Sequence, residues 1–236
     1  THPDQDHVGG LSVVLQELDV DRLAMHLPWN HPPNVAALFQ DGRVTSRSVS
    51  KRLAESLEQA RALEETAREQ GVEILEPFAG RNLTPSLLVV GPTVEYYESL
   101  LPYLEQNAAP SSRSVPGAIV SSAKKMLRRI HERWDQEVLV EPANDATTPR
   151  NNSSAVLLLD LGDIRFLFTA DVGVPALEQA VVMLRAFGYD PRAIDYVQIP
   201  HHGSKRNVGP AILTEIFGPI VPEGEQTGRH GVISAA

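Results

Sequence analysis

The stretch from Ser154 to Gly173, SAVLLLDLGDIRFLFTADVG, constrains the fold of this chain more than any other segment. It contains two strongly apolar arms separated by Gly162 and Asp163, residues that are typical of a tight turn. Short apolar runs on both sides of such a turn predict a β-hairpin. The chain must therefore be built around a β-sheet.

Helix-like and strand-like segments alternate around this hairpin. Apolar residues recur every three or four positions from Ser46 to Gln70, which predicts an amphipathic helix that ends at Gly71. PALEQAVVMLRAFGYD predicts a second helix, which begins at a proline and ends at Gly188. Further strands are predicted at DRLAMHLP, VEILEP, SLLVVGP, AIDYVQIP and GVISAA. This alternation indicates an α/β layered fold.

Composition excludes several classes of protein. The net charge of −9 and the pI near 5.4 argue against a protein that coats nucleic acid or an anionic membrane through its overall field. No apolar run approaches the length of a membrane span, so we expect a soluble, cytoplasmic protein with no membrane segment. The chain has no cysteine, so any metal ion must be bound by His, Asp or Glu.

The first of three segments suited to metal chemistry lies at the beginning of the chain. It is His2-Pro3-Asp4-Gln5-Asp6-His7, whose imidazole and carboxylate groups suit Zn²⁺, Mn²⁺ or Fe²⁺. Alternatively, Asp4 or Asp6 caps the helix that follows, and the histidines are exposed loop residues. A leftover purification tag is a further alternative, against which the Gly-Gly pair and the apolar helix that follow argue.

The other two segments follow apolar strands. Asp171 comes at the end of IRFLFTA, where an aspartate is often only a turn residue. His201 and His202 follow YVQIP, and their side chains are expected to point in different directions, one to a metal ion and one to a substrate. A chance pair in a surface loop is the alternative. In layered α/β proteins the loops at such strand ends converge on a ligand, so the three segments together indicate one shared site.

The ordered set THPDQDHVGG, FTAD and HHGS resembles the metallo-β-lactamase-like hydrolases. It resembles more narrowly the branch that contains the metallo-hydrolase domain of competence-type DNA-uptake proteins and the choline-phosphate esterases. That branch has aspartate in place of the second histidine of the common His-x-His-x-Asp-His motif, as Asp4 is here. NNSSAVLLLDLGDIRFLFTADVG is similar to the branch's passage of Asn-x-Ser, strand, turn, strand and Asp. The resemblance covers residues 1–10 and roughly 150–236.

The resemblance implies an αββα sandwich whose two sheets carry a dinuclear metal site at one edge. Two divalent metal ions are implied, Zn²⁺ first, with Mn²⁺ or Fe²⁺ as alternatives. His202 is implied to contact the substrate, although it could exchange roles with His201, and Asp6 is counted with it as catalytic. The implied metal ligands are His2 and Asp4 for one ion, Asp6 and His7 for the other, Asp171 as the bridge, and His201 to complete the shell of the first ion.

We expect residues 1–236 to be a single, partial domain of this fold. In the resembled fold a run of strands precedes the first motif and a further histidine follows the last strand, so both are expected to be missing here. His230 precedes the last predicted strand and is not expected to replace that histidine. Residues from about 44 to 137 are expected to form a family-specific helical insertion. A helix predicted at 119–134 carries five basic residues that could hold a polyanion or form a solvated face: Lys124, Lys125, Arg128, Arg129 and Arg133.

The function that the resemblance implies is hydrolysis by a metal-bound hydroxide. Phosphodiesters are the expected substrates, which makes a small anionic substrate or nucleic acid the expected partner. The chain has neither a Gly-x-Ser-x-Gly elbow nor a Walker loop, which agrees with water as the nucleophile. Two alternatives stay open: hydrolysis of an ester, lactone or β-lactam at the same site, and a retired fold that acts as a binding module.

Overall fold

A large and a small sheet organise the part of the chain that the structure, a computed structural model, describes: residues 2–31, 46–107, 138–143, 146–222 and 224–234. The α/β class predicted from the sequence is confirmed. The strands are β1 (Arg22–Ala24), β2 (Glu73–Leu75), β3 (Asn82–Thr84), β4 (Leu87–Gly91), β5 (Val156–Asp160), β6 (Arg165–Phe168), β7 (Tyr196–Gln198) and β8 (His230–Val232). The helices are α1 (Gln5–Val8), α2 (Leu11–Glu17), α3 (Ser46–Ser56), α4 (Glu58–Glu69), α5 (Val94–Leu100), α6 (Pro149–Asn152), α7 (Val174–Ala186) and α8 (Pro210–Phe217). Short 3₁₀ helices lie at Pro28–Asn30, Leu101–Asn107 and Pro191–Ala193.

The large sheet is mixed and has the strand order β3-β4-β5-β6-β7-β8. Strands β3 to β6 pair antiparallel, whereas β7 and β8 pair parallel to their neighbours. The hairpin predicted around Gly162 is confirmed, because β5 and β6 pair from Leu157 opposite Phe168 to Asp160 opposite Arg165. The strand predicted in GVISAA begins one residue earlier, at His230.

The two faces of this sheet differ in what covers them. One face presents fully buried apolar residues such as Leu158, Leu167 and Val197 to α7 and α8, where they form the main core. The other face carries a row of stacked rings across β6, β7 and β8, with Phe166 and Tyr196 centred 4.8 Å apart. Phe168 on this second face is 41% exposed, so the described residues leave this apolar face of the sheet partly open.

A helical layer is formed by α3, α4, α5 and the 3₁₀ helices Pro28–Asn30 and Leu101–Asn107. The helix predicted over 46–70 is two helices, α3 and α4, which are interrupted at Leu57, where ψ is +42°. The interruption has a packing reason: α3 buries its apolar side chains against Pro28–Asn30 and α5, whereas the later residues of α4 pack with α2. The strands predicted at DRLAMHLP and VEILEP form the small parallel sheet of β1 and β2.

Two histidines lie within this helical layer. The ring of His26 stacks on Tyr97 with centroids 4.5 Å apart, and neither ring nitrogen has a hydrogen-bond partner among the described residues. Burial lowers the pKa of His26 to about 3. His31 lies between Glu76 and Glu98, with nitrogen-to-oxygen distances of 3.1 and 2.9 Å. Burial acts to lower the pKa of His31, but the hydrogen bonds and charges of the two glutamates raise it overall.

Some sequence predictions fall outside the described residues. They include the basic helix predicted at 119–134, with its five lysines and arginines. Within the described ranges, no helix combines the length and the apolar character that crossing a membrane requires.

Candidate metal centre

The opening cluster folds into a turn that leads into α1. The carbonyl oxygen of Asp4 accepts hydrogen bonds from the backbone N–H groups of His7 and Val8, which places the side chains of His2 and His7 on one side. Their rings are centred 4.0 Å apart, and His2 is buried. The side chain of Asp6 lies outside the described part of the structure, so its predicted role stays a prediction.

The first cluster meets Asp171 at the edge of the large sheet. Nε2 of His7 lies 3.5 Å from Oδ2 of Asp171. One ligand atom from each of His2, His7 and Asp171 lies within 4.8 Å of the other two, so the three residues form a group that could hold a metal ion. Nδ1 of His201 is 3.6 Å from the same Oδ2 of Asp171. Residues from all three segments singled out in the sequence are thus brought together.

Asp4 stands beside this group. Its Oδ2 is 3.5 Å from Nε2 of His2, while its Oδ1 accepts a hydrogen bond of 3.0 Å from Arg150. The hydrogen bond with His2 lowers the pKa of Asp4 to about 2, with help from Arg150 and against the effect of burial. Burial acts to raise the pKa of Asp171, but its hydrogen bond with His7 and the neighbouring histidine charges hold it below 3.8. Both carboxylates are therefore ionised at neutral pH, which is the form that binds metal ions.

Backbone strain concentrates at this site. The non-glycine residues of the described chain that have positive φ are Ala170, His201 and His202, at 49°, 48° and 56°. The backbone N–H of His201 donates to the carbonyl oxygen of Ala170, so the two loops support each other. A left-handed conformation costs a residue with a Cβ about 1–2 kcal/mol, and such strain is typical of functional sites.

Carboxamide side chains hold the main chain of the Asp171 loop, residues 169–173. Nδ2 of Asn207 donates to the carbonyl oxygens of Asp171 and Val172, at 2.8 and 3.2 Å. Oδ1 of Asn152 accepts from the N–H of Gly173, and Oε1 of Gln198 accepts from the N–H groups of Thr169 and Ala170. Because each support is a side chain from another part of the chain, the position of Asp171 is fixed from three directions.

Three residues in α6 and the turn after it each contact one of the predicted ligands. Arg150 binds Asp4, Nδ2 of Asn151 lies 2.9 Å from Nδ1 of His201, and Oγ of Ser154 lies 3.1 Å from Nδ1 of His2. In the sequence, residues 151–154 stand out only by their resemblance to a family passage, which implies no role for them, and Arg150 does not stand out. Their polar side chains just before an apolar strand were the available signal.

A cavity of about 520 Å³ opens beside the centre. His7, Asp171 and His201 form its polar side, while Leu157 and Phe168 belong to an apolar wall. His202 lies at the exposed rim, and its Nδ1 is 2.9 Å from both the carbonyl oxygen and Oγ of Ser234. The site therefore combines a group of metal-ligand type with a space that can admit a small substrate.

Comparison of the chain with protein-family models, with curated proteins and with solved structures finds no match.

Proposed function

We propose that this chain is a metal-dependent hydrolase of the metallo-β-lactamase-like αββα fold that acts on phosphodiesters, nucleic acid included. The observation that carries the proposal is the convergence of His2 and His7, from one end of the chain, on Asp171, which follows a buried strand. The strained histidine pair beside them adds to it, because such strain persists where a site requires it.

The donor set fits a divalent metal ion. Ligands about 2.0 Å from Zn²⁺ in a tetrahedron lie ~3.3 Å from one another, close to the separation between His7 and Asp171. Ser154 engages Nδ1 of His2, which leaves Nε2 for the ion, and a polar partner on the other ring nitrogen is usual for a metal-binding histidine. Two histidines and one carboxylate leave a coordination position for water, as in catalytic zinc sites.

The residues around this group divide the remaining tasks. A bound divalent ion supplies a water of lowered pKa, which can attack at neutral pH. Asp171 would orient that water, and His202 at the cavity rim would contact the substrate or assist the leaving group. In the two-ion arrangement that the resemblance implies, His7 would belong with Asp6 to a second ion, and Asp4 would join His2 and Asp171 at the first. That second ion rests on the resemblance alone. Zn²⁺ is proposed for both positions, with Mn²⁺ or Fe²⁺ as alternatives.

The αββα sandwich is supported by the large sheet. One of its faces is packed against α7 and α8, and the other is apolar with Phe168 partly exposed. A second sheet layer over the latter face is the arrangement that a sandwich requires. Phosphodiesters are favoured as substrates because three of the six ligands that the resemblance implies are carboxylates, and because of the branch that the motifs resemble.

The test is metal content and activity of the same preparation. The chain and its Asp171→Asn variant are purified without chelator, analysed by elemental mass spectrometry and assayed with bis-p-nitrophenyl phosphate, p-nitrophenyl acetate and a chromogenic β-lactam. Asp163→Asn, in the exposed turn of the hairpin, is the matched control. We expect bound metal and phosphodiester hydrolysis in wild type and control, and loss of both in Asp171→Asn.

Three other results would change the conclusion. Phosphodiester hydrolysis that persists at the wild-type rate in Asp171→Asn contradicts the proposed centre. Preference for the ester or the β-lactam replaces the substrate class but keeps the metal site. A folded wild-type chain that binds no added Zn²⁺ or Mn²⁺ favours the binding module.

A further inference from the structure

One arginine connects the helical layer to the candidate metal centre. Arg150 is 12% exposed, and its guanidinium donates to three acceptors on three separate elements. Nε donates to the carbonyl oxygen of Leu104 at 3.0 Å, and one terminal nitrogen donates to the carbonyl oxygen of Ser56 at 3.3 Å. The other terminal nitrogen donates to Oδ1 of Asp4 at 3.0 Å.

The two carbonyl groups fix the direction of the guanidinium. Ser56 is the last residue of α3, so its carbonyl oxygen has no acceptor role inside the helix and is free to accept from Arg150. Leu104 is completely buried in the 3₁₀ helix Leu101–Asn107, which makes that contact rigid. A planar guanidinium that is held at two edges has its third edge oriented, which a lysine ammonium cannot reproduce.

We propose that Arg150 is a positioning residue that sets the orientation of the Asp4 carboxylate at the metal centre. The inference rests on the proposed function, because it treats Asp4 as a metal ligand. With Oδ1 held by Arg150, Oδ2 is the oxygen that faces Nε2 of His2 and is available to the ion. Ligating carboxylates are commonly held by such a second hydrogen bond.

This arrangement gives the helical layer a task in the chemistry. The carbonyl groups of Ser56 and Leu104 belong to α3 and to the 3₁₀ helix Leu101–Asn107. Through Arg150 they determine the direction in which the Asp4 carboxylate points. The layer would therefore act on metal affinity without providing a ligand itself.

The experiment measures the Kd of Zn²⁺ by competition with a chromophoric chelator for wild type, Arg150→Lys, Asp4→Asn and the double variant. We expect Arg150→Lys to weaken Zn²⁺ binding about 10- to 100-fold, the range typical of lost partners of metal ligands. In the Asp4→Asn background the same substitution should change the Kd by less than about threefold, since its effect acts through Asp4.

Controls separate positioning from folding. The unfolding of every variant is measured in urea on metal-free protein, and Arg165→Lys, which alters an arginine paired with Asp160, should leave the Kd unchanged. If Arg150→Lys is too unstable to purify, Arg150→Gln replaces it both alone and in the double variant with Asp4→Asn, so that the same cycle reads the same contact.

The outcomes are distinct. An unchanged Kd in Arg150→Lys, a tighter one, or an equal loss with and without Asp4 overturns the positioning role while the metal site stands. A wild-type chain that binds no Zn²⁺ overturns the proposed function and this inference with it.

Discussion

Replacing Asn207 by leucine tests whether the Asp171 loop is held in place from outside. Asn207 is 2% exposed, and its Nδ2 donates to the carbonyl oxygens of Asp171 and Val172. Leucine has the same branching and number of side-chain heavy atoms as asparagine but no donor, so the substitution removes both hydrogen bonds without opening a cavity. Each buried carbonyl group left without a partner costs about 1–3 kcal/mol.

The expected loss of unfolding free energy is therefore about 2–6 kcal/mol, since two carbonyl groups lose their donor. Domains have a total stability of about 5–15 kcal/mol, so the change is a large fraction of it. For a chain of this size each kcal/mol lowers Tm by roughly 2–4 °C. The measurement is urea unfolding followed by circular dichroism, with the slope m checked for constancy so that the midpoint reports stability.

Asn82→Leu is the control, because Asn82 is exposed at the beginning of β3, and it should change stability by less than about 0.5 kcal/mol. Zn²⁺ affinity is measured on both variants, and it should fall only in Asn207→Leu, where Asp171 loses its support. If Asn207→Leu unfolds at the wild-type midpoint, the Asp171 loop is held by its own conformation and the Asn207 carboxamide does not support it.

Three further predictions concern the helical layer and the loop after β6. The unfolded chain takes up a proton at His26 below pH 6.5 while the folded chain does not until about pH 3, so stability falls as the pH drops through this window. His26→Phe should remove that loss of stability, which is at most about 1.4 kcal/mol per pH unit. The measurement is urea unfolding at pH values from 7 to 4, and a fall in stability identical to that of wild type would contradict the prediction. His31 has a raised pKa, so its stabilising contribution is complete below pH 6.5 and is lost as the pH rises through the folded value. The stability difference between wild type and His31→Asn should accordingly shrink above pH 6.5, and a difference that grows there would rule out the charged imidazole. A Cβ at Gly173 would overlap a threonine side chain, whereas one at Gly10 would meet nothing within 4 Å. Gly173→Ala should therefore cost about 1–3 kcal/mol and Gly10→Ala much less, and equal thermal shifts would show that the loop yields freely.

The sequence predicted those parts of the fold in which local pattern and tertiary structure agree. The hairpin around Gly162 has apolar arms and a turn residue at the right place, and it forms as predicted. β3 was not predicted, because NLT is too short to show an apolar alternation and depends on pairing with β4. The interruption at Leu57 was not predicted, because no glycine or proline marks it in the sequence. It arises because α3 and the later residues of α4 pack on two different clusters.

The candidate site shows the same division. His2, His7 and Asp171 stand out as residue types suited to metal binding, and the structure brings them together. Asn207 and Gln198 do not stand out, because a supporting carboxamide is recognised only by the carbonyl or N–H group that it faces, more than 25 residues away. The left-handed backbone of His201 and His202 was equally hidden, since neither residue type requires that conformation.

The large sheet and the turn before α1 differ in the sequence separation of their contacts. Neighbours in the large sheet are neighbours in sequence order, whereas His2 meets Ser154 across 152 residues and Asp4 meets Arg150 across 146. Contacts between residues so far apart in sequence form slowly, so we expect the turn before α1 to dock after the sheet has formed. The amides of His7 and Val8 should exchange with solvent far faster than those of β5 and β6, and an ion that joins His2 to Asp171 should slow their exchange most.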